Sequence, residues 1–340
     1  GMGVLPRFSP VSMGRNQFEH LKFLIFYPLQ LVMTSNSTDS PTLLVLAAGL
    51  GTRYGGLKQL EKIGPSGETL MDYSIYDARQ AGFTRVVFLI RKEMRQQFEE
   101  QVGRKYEGIL EVDYAYQDKH DLPSGFSCPD KRERPWGTGH AVWSARSALR
   151  GELFAVINAD DYYGAETFEV LIKSFREDLG QDKQLFSMVG FRLSETLSEH
   201  GVVSRGVCME SEGYLETVEE WTKIGGEPLV GLRSNGLEAS LTGSEIVSMN
   251  VWGFPFSVIE LLEEEFIGFL GKIEVNDITS EFYLPAAIDS GIKSGKNKVR
   301  VYPASCSWMG VTYQEDKLSV VKKVAEMIAD GRYMSPLFKS

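Results

Sequence analysis

The chain has 340 residues, enough for about two domains or one large α/β unit. Hydrophobic residues make up 43% and charged residues 24%, close to the averages for soluble globular proteins, which excludes a disordered chain and a polytopic membrane protein. Lys plus Arg number 36 against 46 Asp plus Glu, a net charge of −10, and no basic run occurs, so neither nucleic acid nor a membrane is an expected partner.

Residues 1–41 differ from the rest and are read as an N-terminal extension. Their only apolar run, Phe23 to Val32, is shorter than the about 20 residues a bilayer requires and is broken by Pro28. It is either a signal-peptide core preceded by Arg7, Arg15 and Lys22, or an extension or leader upstream of Met33. From Thr42 strands and helices alternate. The wholly apolar run Leu43–Ala48 reads as a parallel strand covered on both faces. A helix follows over 70–81, a strand over 85–90, a charged helix over 93–106 and a strand over 111–117. A helix over 140–149, a strand over 153–158 and a helix over 166–179 complete the series. This rhythm predicts a doubly wound, mostly parallel sheet with ligands at the carboxyl ends of its strands. From Gln184 the regularity weakens. Strand-like pieces with Gly-rich turns over 185–254 give way to helices at 256–270 and 281–290, a strand at 298–302 and a last helix at 316–330. We therefore expect one domain over 42–312, with a nucleotide-binding half (42–183) and a wrapped substrate lobe (184–312), then a C-terminal helix and tail (313–340). The three cysteines, Cys128, Cys208 and Cys306, form neither a disulfide framework nor a metal pair. They point to a reducing, cytoplasmic setting.

Three stretches carry chemistry. The first is the loop after the opening strand, Ala47-Ala48-Gly49-Leu50-Gly51-Thr52-Arg53, with Lys58-Gln59 downstream. A glycine loop leaving a buried strand turns backbone N–H groups toward phosphate oxygens, and Arg53 and Lys58 complete an anion cradle. It is not a Walker A loop, because Leu57-Lys58 stands where Lys-Ser/Thr is required. Nor is it a dinucleotide fingerprint, because Tyr54 occupies a required glycine. The second stretch is Gln117 at a strand end, followed by Trp136-Gly137-Thr138-Gly139-His140-Ala141-Val142 opening a helix. Taken alone, His140 reads as a surface or core histidine. The third is Asn158-Ala159-Asp160-Asp161, directly after an apolar strand. Its carboxylates lie where hard oxygen ligands would meet the Mg²⁺ of a bound nucleotide.

Together these motifs resemble the sugar-1-phosphate nucleotidyltransferase family, with the GxGHAV form most similar to its uridylyl- and thymidylyltransferases. The resemblance covers about 42–330 and implies a Rossmann-like nucleotidyltransferase fold. It implies nucleotide contacts by Ala47, Ala48, Gly49, Gly51, Thr52, Gln117, Gly137 and Thr138, and catalytic roles for Arg53, Lys58 and Asp160, with Asp160 as the Mg²⁺ ligand. In the second half His200-Gly201-Val202-Val203, Thr217-Val218-Glu219-Glu220, Asn250 to Phe254, Ser280-Glu281 and Trp308 to Thr312 resemble the family's acceptor motifs. These imply sugar-phosphate contacts by Gly201, Glu219, Asn250 and Glu281. Glu220 replaces the lysine that would hold the sugar phosphate, so Lys223 is expected to serve instead. Pro285-Ala286 replaces the usual second metal aspartate. Of the two substitutes within reach, Asp277 and Glu281, neither is expected to take over.

The implied reaction is Mg²⁺-dependent attack by a sugar 1-phosphate on the α-phosphorus of an NTP, UTP or dTTP favoured, releasing pyrophosphate. Two other readings stand beside it: a cytidylyltransferase for another phosphorylated alcohol, and a catalytically silent nucleotide-sugar regulator. The expected partners are thus small molecules, and an oligomer is compatible with the sequence.

Overall fold

The computed structural model describes residues 1, 41–49, 58–149, 153–180 and 182–338, and the fold is that of the unit from Ser37 to Ser340. In chain order its strands and helices are β1 (Thr42–Leu46), α1 (Leu70–Ala81), β2 (Arg85–Ile90), α2 (Arg95–Gln101), β3 (Glu111–Tyr116), α3 (Thr138–Ser144), β4 (Leu153–Asn158), β5 (Asp161–Tyr162), α4 (Ala165–Ser174) and β6 (Leu185–Arg192). There follow β7 (Val203–Ser211), β8 (Tyr214–Gly225), β9 (Val230–Leu232), β10 (Glu238–Ser240), β11 (Ile246–Pro255), α5 (Val258–Leu270), α6 (Leu284–Lys293), β12 (Lys298–Pro303), β13 (Met309–Gly310) and α7 (Asp316–Ala329).

Local chemistry sets several of these boundaries. Thr69 and Asp72 form a reciprocal capping box at the start of α1: the Asp72 N–H donates to Thr69 Oγ1 at 3.2 Å and the Thr69 N–H to Asp72 Oδ2 at 2.7 Å. Such a box satisfies two amides that the first turn leaves without helical partners. The helix ends at Gly82, whose φ of 120° suits only glycine. The helix expected over 93–106 is instead two 3₁₀ turns flanking the short α2.

Ten strands lie side by side in the order β10-β9-β8-β12-β6-β11-β4-β1-β2-β3, and β7 adds to β11 and β8. β3, β2, β1 and β4 are parallel. β11 then runs antiparallel between β4 and β6, β12 runs parallel to β6, and β7 and β8 pair antiparallel. The mostly parallel, doubly wound sheet expected from the sequence is therefore a mixed sheet, with a parallel half and an antiparallel-rich half. The physical reason is β11: buried along nearly its whole length, it offers an apolar run that reads alike in either direction.

Alternation along the central strands divides the core between two faces. Leu43, Val45, Val86, Phe88 and Ile90 pack with Met71, Ile75 and Ala78 of α1, Phe98 of α2 and Phe168 and Leu171 of α4. Leu44, Val87 and Leu89 pack with Val142 of α3, Leu262 and Phe266 of α5 and Ile288 of α6. Helices thus cover both faces, and each buried Leu or Phe contributes about 1.5–3 kcal/mol. A third cluster joins α1 to the segment after α7. There the Tyr333 hydroxyl donates to Asp77 Oδ2 at 2.7 Å and meets the Tyr162 hydroxyl at 2.7 Å. Burial pushes the Asp77 carboxyl up to about 7. Among the described residues no helix is long and apolar enough to cross a membrane.

Candidate active site

Parallel strands deliver their carboxyl ends to one side of a sheet, so the residues just beyond β1, β3 and β4 converge there. They do so around a cleft of about 670 Å³, lined by Ala48 and Gly49, by Gln117, by Gly137 and Thr138 at the start of α3, and by Asn158, Asp160 and Asp161. The second half of the chain contributes Ser204, Arg205 and Gly206 of β7, Glu220 of β8, Ser248 to Asn250 of β11, and Glu281.

The first strand leaves the core through Ala47, which is fully buried and lies behind the cleft, not in its wall. Its carbonyl and that of Gly49 both accept from Gln59 Nε2, at 3.2 and 3.0 Å. Gln59 thus fixes the exit of β1 and itself lines the cleft. The sequence alone gives Gln59 no role; its place beside Lys58 is the available clue. Gly51, Thr52, Arg53 and the side chain of Lys58 lie outside the described residues.

At α3 the glycines are explained by packing as well as by any ligand. Gly137 has φ +102°, and a Cβ there would meet the Phe282 carbonyl oxygen at 2.7 Å. A Cβ on Gly139 would meet the Phe282 ring at 2.7 Å. Thr138 Oγ1 accepts from the Leu284 N–H at 2.9 Å, tying α3 to α6. The helix expected from His140 begins two residues earlier and ends at Ser144.

Beyond β4 the chain turns at Ala159-Asp160. Asp161 Oδ2 accepts from Asn158 Nδ2 at 2.9 Å and from the Tyr163 hydroxyl at 3.1 Å, which braces the turn that carries Asp160. Asn158 Oδ1 in turn meets Asn250 Nδ2 at 3.4 Å. Asn250 sits in a bulge of β11 with φ +59°, a left-handed conformation that asparagine tolerates and that re-aims it from the strand toward the cleft.

The acceptor motifs divide. Asn250 and Glu281 line the cleft, whereas Gly201, Glu219 and Lys223 do not. Gly201 accommodates the ring of Tyr313, which a Cβ would meet at 2.5 Å. One step along a strand reverses the face a side chain occupies, and β8 therefore presents Glu220, not Glu219, to the cleft. Glu219 instead accepts from Arg233 Nη2 at 2.7 Å and Ser234 Oγ at 2.7 Å. These donors, Arg233 foremost, hold its carboxyl down at about 2. The Glu220 carboxyl has no hydrogen-bond partner among the described residues, and burial pushes it up to about 7, opposed by the charge of Arg205. Lys223 is exposed, at φ +53°. The cation that β7 brings into the cleft is Arg205, 9% exposed, whose Nε donates to Thr196 Oγ1 at 3.1 Å and Nη1 to the Ser204 carbonyl at 2.8 Å. Sequence reading missed Arg205; an arginine at an inward position of an alternating strand was the signal.

Asp160 offers oxygen donors of the type Mg²⁺ prefers, and among the described residues no group of three or more His, Cys, Asp or Glu is arranged to hold a metal. Asp277 lies off the cleft and is engaged in its own loop, accepting from Ser280 Oγ at 2.6 Å and the Thr279 N–H at 2.8 Å.

Comparison with known proteins agrees with this arrangement. Residues 42–260 match the family model "Nucleotidyl transferase". Over 248 residues the chain is 25% identical to the UTP–glucose-1-phosphate uridylyltransferase of Bacillus subtilis, covering 69% of this chain and 77% of that protein. It is likewise 25% identical to UTP–glucose-1-phosphate uridylyltransferase 1 of Staphylococcus saprophyticus, covering 69% and 78%. In fold it resembles the inositol-1-phosphate CTP transferase of T. maritima, with a TM-score of 0.57 at 14% identity over 84% of this chain and 97% of that one. With a single α/β unit whose strand ends open on one cleft, and a family match spanning most of that unit, the chain belongs to the nucleotidyl transferase family and is a nucleotidyltransferase.

Proposed function

We propose that the protein transfers a nucleotidyl group from UTP or dTTP to a sugar 1-phosphate, giving a nucleotide sugar and pyrophosphate, with Mg²⁺ as the cofactor. The observation that carries the reading is the convergence on one cleft of the β1 exit, Gln117 and Asp160 from the first half with Asn250 and Glu281 from the second. The nucleophile is a phosphate monoester, whose second pKa of about 6 leaves it largely ionised at neutral pH, so no general base is required. Catalysis then reduces to positioning and neutralisation of charge. In this reading Ala48, Gly49, Gly51 and Thr52 carry the triphosphate, Arg53 neutralises its β and γ phosphates and Lys58 its α phosphate. Gln117, Gly137 and Thr138 form the base end. Asp160 holds the Mg²⁺, which supplies further neutralisation of the phosphates when bound. Asn250 and Glu281 take sugar hydroxyls.

The acceptor phosphate is assigned here to Arg205 in place of Lys223. Two of the five guanidinium N–H groups of Arg205 remain once its three bonds to Thr196 and Ser204 are formed, and Arg205 lines the cleft where Lys223 does not. The test is pyrophosphate release on mixing the protein with UTP, Mg²⁺ and a panel of sugar 1-phosphates. Release that requires both the nucleotide and one of the sugar phosphates is expected. Its absence across the panel, with release when another phosphorylated alcohol and CTP are supplied, would move the protein to the cytidylyltransferases.

A further inference from the structure

We infer that His140 is a positioning residue for base recognition: with the Gly137 carbonyl it locks the Gln117 amide so that only an acceptor, Gln117 Oε1, faces the cleft, which selects a base carrying a ring N–H. The inference rests on the proposal that the cleft binds a nucleotide.

The chain of contacts starts at Asp121. Its backbone carbonyl lies 2.9 Å from His140 Nε2, and a carbonyl oxygen only accepts, so Nε2 bears the proton. In the neutral ring Nδ1 is then a bare acceptor. Gln117 Nε2 stands 3.2 Å from that Nδ1 and 3.0 Å from the Gly137 carbonyl oxygen. Both amide protons of Gln117 are therefore spent inside the protein. Turning the amide over would set Oε1 against two acceptors at once and leave the donors without partners, so the orientation is fixed by its surroundings. Gln117 is 8% exposed and lines the cleft, and its Oε1 takes no hydrogen bond among the described residues. The neutral state of the ring is secured by its setting. His140 is wholly buried, with its ring against Phe266 and Trp143 at 5.1 and 5.9 Å. The charged groups acting on it are Asp121, Arg146 and Arg132; burial, joined by the two arginine charges, outweighs Asp121 and holds its pKa down at about 4.

An acceptor fixed at this place is satisfied by the N3–H of uracil or thymine. Cytosine presents a lone pair at the same ring position, and 3-methyluracil a methyl group. The inference predicts that the wild-type chain uses UTP at least about thirtyfold better in kcat/KM than CTP or 3-methyluridine triphosphate, the scale set by one unpaired buried polar group. In His140→Phe the second amide proton of Gln117 loses its acceptor. The preference for UTP over CTP should then fall below about fivefold, through a raised KM for UTP at nearly unchanged kcat. His140→Asn, whose Oδ1 can stand where Nδ1 stood, should recover the preference. Binding of the three nucleotides is followed in parallel by calorimetry, with thermal melts to confirm folding.

A folded His140→Phe variant that keeps the wild-type ratio would overturn the inference and leave the nucleotide reading intact. So would equal use of UTP and 3-methyluridine triphosphate by the wild type, a measurement that stands even where His140→Phe does not fold. Failure of all three nucleotides to bind would overturn the nucleotide reading and the inference with it.

Discussion

At the end of the cleft proposed for the base, Gln117 and Thr138 meet the void with neutral groups whose hydrogen bonds are largely spent inside the protein. At the end proposed for the acceptor, Arg205 and Glu220 meet it with ionisable groups, and the Glu220 carboxyl has no hydrogen-bond partner among the described residues. The difference separates two tasks. Neutral groups held by internal bonds discriminate by shape and donor pattern and are indifferent to pH over the neutral range. Buried charges bind phosphate strongly, and they make that binding depend on protonation.

The largest expected effect lies where the two ends meet. Asp160→Asn should leave the fold intact and lower turnover at least about a hundredfold, the usual worth of one preorganised charge-stabilising group; pyrophosphate release and a melting curve check it. Next, Arg205→Ala should raise the KM for the sugar phosphate about thirtyfold, the scale of a charge-assisted hydrogen bond, while Lys223→Ala leaves it within about twofold. The reverse ranking would return the phosphate to Lys223. A smaller effect is expected at Glu220. Its carboxyl is neutral below about pH 7 and charged above, so the acceptor KM should rise as pH passes through that value, and Glu220→Gln should abolish the rise, about fivefold at pH 8.5. The same raised value means that Glu220 contributes stability in full at low pH and loses it as pH rises through about 7, so thermal melts of Glu220→Gln should depend less on pH across that window. The smallest effect belongs to Glu219→Gln. Its partners lie on the face away from the cleft, and a partly exposed ion pair is worth about 0–1 kcal/mol, so sugar-phosphate kinetics should stay within about twofold.

These contrasts also mark what the sequence made legible. The runs that became β1, β2 and β4 were readable because strands buried on both faces are continuous apolar stretches, and α1 because its apolar residues recur at helical spacing. The direction of β11 was not, since apolar periodicity carries no polarity. Asp160 and Gln117 were placed in the cleft by lying at strand ends. Glu219 and Lys223 were misplaced for a related reason. Two adjacent glutamates in a strand occupy opposite faces, and only pairing with β7, where Glu219 stands opposite Val207 and Glu220 opposite Gly206, decides which is inward. Gln59 and His140 act through backbone carbonyls distant in sequence, a relation no local pattern records.

The hydroxyl chain from Asp77 through Tyr333 to Tyr162 has a consequence for which part of the chain completes the site. Tyr162 immediately follows the turn that carries Asp160, and its partner Tyr333 lies 171 residues later. Leu337 and Phe338 seal the same seam against Glu68 and Tyr76. Every strand of the sheet precedes α7 in the chain. The strands alone lack the wall behind the acidic turn, which Tyr333 supplies. That wall closes only when the segment carrying Tyr333 packs against Tyr162, so the turn is completed by the last part of the described chain and not by the sheet alone.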